Sequence, residues 1–383
     1  MAQAQTESRN MSHVGIRIQP FTEELTGAVA EFNRRMRPAK VPFGVPETGV
    51  SSWLPKLDGR NIHQEIFLAV EGGFVRGAYT FKQQPFSFSG RILSVGACQM
   101  PISEGIIDKR YSLVGPKIVN DALRRQPLLY GLGIGSRDAA VTRLLTAMGW
   151  RLTVIPFFFK VRHGFRFLRN IRYLRTTRFR RWLFDVVAYL GLAEAGAKIV
   201  ETALTRTSSD GAFSAEHVGE FSSWADEVWW RCRDRYSMMA VRDASVLNVL
   251  YPAAETRFIR LRIFDGRRVA GWAVVLDSVM SGDKYFGDMR VGSIVDCLAL
   301  PEDAGRVIGA SVRVLEKRGV DLLVSNQSHP VWGRGLKRAG FIQGPSNFFF
   351  ITSKQLTRLL DEDDPAGVGI HLNRGDGDGP IHL

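Results

Sequence analysis

Residues 128–150 read LLYGLGIGSRDAAVTRLLTAMGW, and residues 322–341 read LLVSNQSHPVWGRGLKRAGF. Each stretch has a short apolar run, a polar break, a segment with helical spacing, and then glycine followed by an aromatic residue. A strand–proline–helix pattern precedes each stretch, at Pro101 and at Pro301, and an aromatic run follows each one. A repeat with so long a spacing predicts two copies of one domain and not a solenoid of short units.

The composition is that of a globular chain large enough for two domains. Of its 383 residues, 45% are hydrophobic and 23% are charged, and a domain commonly has about 100–200 residues. The cysteines are far apart in the sequence and form no Cys-x-x-Cys pair (Cys98, Cys232 and Cys297). We therefore expect no disulfide framework, no metal site and a cytoplasmic location. No run has the length and apolarity of a signal peptide or a transmembrane helix, so neither is expected.

The positive charge is concentrated in one segment. The net charge is +13 and the isoelectric point is about 9.9, which favours anionic partners. Nine Lys and Arg residues, and no Asp or Glu, lie between residues 160 and 182. We interpret 163–211 as a basic helical linker that packs across both domains. The alternative is a peripheral contact of 165–190 with an anionic inner membrane, because aromatic and basic residues segregate there. No nucleic-acid recognition motif is present, so no specific nucleic-acid partner is expected.

Hydrophobic periodicity and turn signals predict a similar order of elements in both copies. For the first copy they predict strands at 16–18, 65–70, 74–82, 91–100, 128–133 and 153–161, and helices at 22–36, 111–125 and 138–148. For the second copy they predict helices at 214–232, 304–318 and 330–338, and strands at 257–264, 268–276, 292–300, 321–325 and 347–352. The fold class is therefore α/β (α+β), with a mixed, mostly antiparallel sheet flanked by helices in each copy. The predicted segments are a disordered N-terminus at 1–14, domains at 15–162 and 212–356, the linker, and an acidic, glycine-rich tail at 357–383.

Together these patterns resemble the GNAT superfamily of acyl-CoA N-acyltransferases, present twice. That superfamily has a loop, Arg/Gln-x-x-Gly-x-Gly/Ala, that follows a strand and opens a helix, where backbone N–H groups and the helix dipole bind the diphosphate of coenzyme A. The first copy reads Arg110-Tyr-Ser-Leu113-Val-Gly115, so leucine replaces the middle glycine. The resemblance implies acyl-CoA-binding roles for Lys109, Arg110, Ser112, Gly115 and Lys117.

The second copy of this loop departs from the pattern in a different way. It reads Arg306-Val-Ile-Gly309-Ala-Ser311, so serine replaces the last small residue. By resemblance, Arg306 and Gly309 are its acyl-CoA-binding candidates. Glu302 and Asp303 precede the loop and would repel a diphosphate. We therefore expect at most one copy, the first, to bind acyl-CoA.

Catalysis in this superfamily needs a base for the amine and often a tyrosine that protonates the leaving thiolate. The base candidates implied by position are Glu104 in the first copy and Asp296 in the second. Asp296 lies in an apolar strand, where a carboxylate needs a partner or a raised pKa. The tyrosine is usual four residues before the Gly-aromatic pair, but Leu145 and Leu336 occupy those positions. Two alternatives follow: water or another residue supplies the proton, or one domain binds acyl-CoA while its neighbour shapes the acceptor site.

The resemblance implies an acyl-CoA-dependent N-acyltransferase with an amine acceptor. Residues 242–248 read RDASVLN and resemble a segment of two-copy GNAT-like proteins from bacterial surface-polysaccharide gene clusters. An amino sugar, as a nucleotide or a lipid-linked saccharide in envelope biosynthesis, is therefore the expected acceptor. Two alternatives stay open. One is aminoacyl transfer of the Fem type, and the other is a degenerate pair of domains that acts as a binding or scaffold protein.

Overall fold

The computed structural model describes residues 15–39, 41, 43–49, 54–163, 167, 213–283 and 286–377. The expected disordered N-terminus at 1–14 and, apart from two residues, the linker at 163–211 with its membrane segment lie outside this range. In the described part of the chain, no helix is long and apolar enough to cross a membrane.

The chain divides into two compact units. Unit 1 comprises Met1–Pro85, Ser94–Thr153 and Phe349–Leu359, and unit 2 comprises Phe86–Leu93, Val154–Phe348 and Leu360–Leu383.

The strands and helices of the first repeat follow one another in the predicted order. Its elements are β1 (Arg17–Pro20), α1 (Thr26–Met36), β2 (His63–Glu71), β3 (Phe74–Phe88), β4 (Arg91–Ser103), α2 (Val114–Arg125), β5 (Leu129–Ile134), α3 (Ala140–Ala147), β6 (Arg151–Val154) and β7 (Phe157–Val161). The single strand predicted at 153–161 is therefore two strands. Pro156 lies between them, and proline cannot donate a hydrogen bond to a sheet ladder.

The second repeat is followed by an additional helix. Its elements are β8 (Ser214–His217), α4 (Ser223–Cys232), β9 (Met239–Ala240), α5 (Ala244–Leu250), β10 (Ile259–Asp265), β11 (Arg268–Val279), β12 (Arg290–Ala299), α6 (Ala304–Lys317), β13 (Leu322–Asn326), α7 (Pro330–Arg338), β14 (Ile342–Gly344), β15 (Phe348–Thr352) and α8 (Lys354–Asp363). The tail expected at 357–383 thus begins inside α8, and its residues up to Asp376 include buried side chains. The hairpin predicted at Asp265-Gly266 is present between β10 and β11.

One helix prediction is wrong at its start. The sequence pattern predicts a helix over 214–232, but Ser214–His217 forms the strand β8 and the helix α4 begins only at Ser223. β8 pairs with β10, so that Glu216 lies directly opposite Arg262. Their side chains form an ion pair of 2.8 Å. Opposite charges across a strand pair stabilise the sheet, and this tertiary pairing overrides the local helical pattern.

The two sheets exchange their last strands. The first sheet has the order β1-β2-β3-β4-β5-β15-β6, and the second has the order β14-β7-β13-β12-β11-β10-β8. The strand that closes the first repeat in sequence, β7, pairs with β13. The strand that closes the second repeat, β15, lies beside β5. The sequential domain boundaries at 162 and 212 do not anticipate this exchange, because periodicity carries no information about strand partners.

Each face of the first sheet is covered by a helix. α1 packs its buried residues, Val29, Phe32 and Met36, on a face that includes Ile66, Leu68 and Ala78. α2 packs on the opposite face, where Phe67, Tyr79, Phe81 and Cys98 lie. Side chains of a strand alternate between faces, so Phe67 and Leu68 belong to different cores. This arrangement fixes which residues of β4 face α1 and which face α2.

Candidate active site

Strands β4 and β5 of unit 1 run side by side over a short distance only. They are parallel and pair at Gly96 with Leu129 and at Ala97 with Tyr130. Beyond these pairs β4 continues to Ser103 and β5 continues to Ile134. Met100, in this part of β4, has a φ of 48°, a left-handed conformation that non-glycine residues seldom adopt. Parallel strands that diverge leave backbone N–H and C=O groups without a ladder partner, and these groups can bind an extended ligand.

The segment between β4 and α2 forms a tight loop that leads to an open helix start. Two short 3₁₀ helices, Glu104–Ile106 and Lys109–Tyr111, fold back on each other. A Cβ atom on Gly105 would lie 2.5 Å from the carbonyl oxygen of Tyr111, so only glycine permits this fold. Leu113 precedes α2, makes no side-chain cap, and is 76% exposed. The N–H groups of Val114 and Gly115 are therefore not capped by this side chain and can donate hydrogen bonds to an anion, whereas Pro116 has no N–H group.

The structure brings most of the predicted acyl-CoA-binding residues of the first copy together at this helix start. Lys109 and Ser112 are exposed. The Arg110 side chain is 80% exposed and pairs with Asp108 at 2.6 Å. A Cβ atom on Gly115 would meet nothing closer than Leu144, at 3.4 Å. Lys117 differs from the others, because its Nζ atom donates a hydrogen bond to the carbonyl oxygen of Ile16 at 2.7 Å.

Glu104 lies at the end of β4 but is held by two arginines. Its side chain is buried, and it accepts a hydrogen bond of 3.0 Å from Arg35 Nε and one of 3.1 Å from Arg76 Nη1. Arg76 also lies over the ring of Tyr111, with its Cζ atom 4.3 Å from the ring centroid. These contacts tie α1, β3 and the loop before α2 to one carboxylate. They favour a role in holding the loop over the predicted role as a base.

The corresponding gap in unit 2 is filled by the chain itself. β12 and β13 pair from Val291 to Ile294 and then diverge. Residues Ile370–Asp376 lie along both strands in the diverging part. His371 Nε2 donates a hydrogen bond of 2.9 Å to the carbonyl oxygen of Cys297 on β12. On the other side, Asn373 forms a β-bridge with Gln327, directly after β13. This gap is therefore not available to an extended ligand.

Asp296, the base predicted for the second copy, is the centre of a buried polar network. One of its carboxylate oxygens accepts hydrogen bonds from Arg242 Nε at 2.7 Å and from the Tyr251 hydroxyl at 2.6 Å. The other oxygen accepts a hydrogen bond from Asn373 Nδ2 at 2.8 Å. Arg242 also pairs with Asp376. Burial raises the pKa of Asp296, and the nearby Asp376 acts in the same direction. The carboxylate is enclosed and its acceptor positions are used, which argues against a role as a base.

Arg306 and Gly309 do not form a loop at the start of a helix. α6 already begins at Ala304, so both residues lie within the helix. The guanidinium of Arg306 lies over the ring of Phe213, at 5.3 Å from the centroid. A Cβ atom on Gly335 of α7 would lie only 2.8 Å from the Cα atom of Gly305. The start of α6 is thus closed by direct contact with α7, and no phosphate loop corresponds to that of unit 1.

The two positions expected for a tyrosine are core positions. Leu145 belongs to the cluster beneath α2, and Leu336 is fully buried. The residues that surround Asp296 were not identified from the sequence (Arg242, Tyr251, Asn373 and Asp376). The only available signal was the carboxylate inside an apolar strand, which predicts that partners exist but not where they lie in the chain.

No family model matches the sequence, and no curated protein matches it either. Solved structures do match. A GCN5-related N-acetyltransferase from Anabaena variabilis aligns with a TM-score of 0.51 and 8% identity, over 88% of this chain and 72% of that one. N-myristoyltransferase from Saccharomyces cerevisiae, solved with myristoyl-CoA, aligns with a TM-score of 0.51 and 9% identity, over 88% and 82% of the two chains. A tandem GNAT protein from the clavulanic acid biosynthesis pathway aligns with a TM-score of 0.46 and 12% identity, over 88% of this chain and 98% of that one.

These similarities concern the fold. At identities of 8% and 9%, the first two structures show that the chain adopts the architecture of GNAT-type acyltransferases. The predicted fold class, mixed sheets flanked by helices in two copies, is confirmed. Chemistry does not follow from the architecture, because one fold supports many functions. The residues at the gap in unit 1 determine which chemistry is possible there.

Proposed function

We propose that the chain is an acyl-CoA-dependent N-acyltransferase with a single active site, in unit 1. The contrast between the two strand gaps supports this proposal. In unit 1 the diverging strands lead to an exposed loop with Lys109 and Arg110 at an uncapped helix start. In unit 2 the gap contains the segment Ile370–Asp376, and the helix start is closed by Gly305 and Gly335.

In this proposal acyl-CoA lies between β4 and β5. Its pantetheine amides bind the unpaired backbone groups of the diverging strands, and its diphosphate binds the first N–H groups of α2. Lys109 and Arg110 add positive charge from the exposed side. The acceptor amine attacks the thioester carbonyl carbon, the C–S bond breaks, and an amide and free coenzyme A result. The amine loses one proton to water or a base, and the thiolate gains one.

We further propose an amino sugar of bacterial surface-polysaccharide or envelope biosynthesis as the acceptor. The similarity of residues 242–248 to two-copy proteins of such gene clusters supports this choice. The charge of +13 also suits a phosphorylated sugar. A cytoplasmic location and a peripheral contact of 165–190 with the inner membrane belong to the same proposal.

Binding of acetyl-CoA to matched arginine variants tests the location of the site. Arg110→Ala should weaken binding by about 10- to 150-fold, because a charge-assisted hydrogen bond to phosphate contributes roughly 1.5–3 kcal/mol. Arg306→Ala, the equivalent change in the second copy, should leave the dissociation constant unchanged. Isothermal calorimetry of the full chain measures both. Absence of binding, or a larger effect of Arg306→Ala, would contradict the proposal.

A second candidate function is acyl-CoA binding without transfer, and Leu145 favours it. The residue lies where a proton donor is usual in GNAT enzymes, and its side chain is apolar and buried. Release of coenzyme A thiol from acetyl-CoA, measured in the presence of amino sugars, separates the two functions. Acceptor-dependent release supports transfer, and binding without release supports the second candidate.

A further inference from the structure

The face of the first sheet beneath α1 changes from apolar to polar along its strands. Near α1 this face carries Ile66, Leu68 and Ala78. Further along, Gln64 on β2 lies directly opposite Lys82 on β3. Gln84 is two residues beyond Lys82 and therefore shares the same face. All of these polar side chains are buried.

A glutamine of β4 joins this group. Gln64 Nε2 donates a hydrogen bond of 2.9 Å to Gln99 Oε1. Gln99 lies beyond the last β4–β5 pair, at Ala97, and next to Met100 with its left-handed backbone. We name Gln64, Lys82, Gln84 and Gln99 the polar row. It reaches the part of β4 that borders the proposed acyl-CoA cleft.

The polar row has hydrogen-bonding groups that the described part of the protein does not use. Gln84 is 1% exposed, and neither its amide nitrogen nor its amide oxygen has a partner among the described residues. The same holds for Gln99 Nε2. Buried polar groups are almost always hydrogen-bonded in native proteins, since each unsatisfied one is destabilising. Two such glutamines on one face, beside a cleft, indicate a ligand.

We propose that the polar row binds the hydroxyl groups of the acceptor and so places its amine against the thioester. This inference rests on the proposed function and identifies the residues that recognise the acceptor. A primary amide presents a donor and an acceptor side by side, which matches a pair of neighbouring hydroxyl groups. The acceptor class is therefore a polyhydroxylated amine.

The test compares glutamines on opposite faces of one strand. Gln84→Leu and Gln99→Leu remove the amides of the polar row, and Gln83→Leu, on the other face of β3, is the control. The probes are glucosamine 1-phosphate and UDP-glucosamine, with cyclohexylamine as an amine without hydroxyl groups. Binding of each sugar to the full chain is measured by calorimetry without acyl-CoA. Acetyl-CoA binding is measured separately, and thiol release gives kcat and KM.

Gln84→Leu and Gln99→Leu should each weaken sugar binding and raise KM for the sugar at least 10-fold. The rise in KM should be smaller for cyclohexylamine, which has no hydroxyl groups, and acetyl-CoA binding by Gln84→Leu should stay as in the wild type. The thermal midpoint of Gln84→Leu should stay level or rise, because an apolar side chain replaces an unsatisfied amide. Gln84→Met, which is closer in shape, should show the same changes. Gln83→Leu should show none.

Three results would overturn this inference. The first is that Gln84→Leu and Gln99→Leu bind the sugar as tightly as the wild type, and the second is that the wild type binds neither sugar. The third is a fall of about 5 °C or more in the thermal midpoint of both Gln84→Leu and Gln84→Met. The last result would show that the amide has a structural role. Failure of the proposed acyltransferase function would give a different result from these three. The wild type would then bind the sugar but would not bind acetyl-CoA.

Discussion

Two carboxylates at comparable places in the two copies have different surroundings. Glu104 follows β4 and is paired with Arg35 and Arg76 beside the open loop of unit 1. Asp296 lies within β12 and is enclosed by Arg242, Tyr251 and Asn373. Both carboxylates serve to hold segments of chain together. In unit 2 that segment is Ile370–Asp376, which occupies the gap that would otherwise admit a ligand.

Two buried histidines, His371 in this segment and His329 at the start of α7, predict a pH dependence of stability. Burial lowers the pKa of His371 to about 4 and that of His329 to about 4, from an ordinary value of 6.5. Between these values the unfolded chain binds more protons, so stability is present above pH 6.5 and is lost as the pH falls towards 4. His371, which is fully enclosed, contributes up to about 1.4 kcal/mol per pH unit in this window, and the contribution of His329 is smaller because solvent screens it.

Urea unfolding of the wild type and of His371→Gln, between pH 4 and pH 8, measures this effect. The variant should show a shallower fall in the free energy of unfolding below pH 6.5 and the same plateau slope above pH 7. Glutamine retains a donor for the carbonyl oxygen of Cys297. Equal slopes for the two proteins below pH 6.5 would show that His371 is not buried in its neutral form.

At the scale of elements, the start of a helix distinguishes the two copies. Leu113, directly before α2, is exposed and makes no side-chain cap, whereas α6 begins in contact with α7 at Gly305 and Gly335. Gly309, which the resemblance assigns to a phosphate loop, lies well inside α6. The same motif thus lies at the start of a helix in unit 1 and within a packed helix in unit 2.

Two alanine substitutions test this difference. Gly335→Ala should destabilise the protein by about 1–3 kcal/mol, because its Cβ atom would lie 2.8 Å from the backbone of Gly305. Gly309→Ala should stabilise it by up to about 1 kcal/mol, since its nearest neighbour would be Arg313 at 3.6 Å and alanine is the better helix former. Chemical denaturation measures both. Stabilisation by Gly335→Ala, or a strong loss of stability in Gly309→Ala, would contradict this packing.

The elements were largely predictable from the sequence, and the exceptions have physical causes. Helix α7 was predicted at its observed bounds, Pro330–Arg338, because proline at the start and the glycine after the helix mark its ends. β8 was missed, since it is stabilised by pairing with β10 and by the Glu216–Arg262 ion pair. The partners of Asp296 were missed because Asn373 and Asp376 lie far along the chain, in a segment without periodicity.

At the scale of the whole molecule, the chain contains two copies of one fold with different cleft contents. The exchange of β7 and β15 between the sheets makes each unit discontinuous in sequence. Sequence self-similarity predicted two copies correctly but could not assign the last strands, which both lie in similar aromatic runs. The proposed division of roles follows from the clefts, one beside the exposed residues Lys109 and Arg110 and one filled by the segment Ile370–Asp376.

The number of acyl-CoA molecules that one chain binds tests this central claim most directly. Native mass spectrometry of the full chain with saturating acetyl-CoA counts them without assuming an acceptor. One bound acetyl-CoA per chain is the predicted result, because only the gap in unit 1 can accept the ligand. Two bound molecules per chain, or none, would contradict the account.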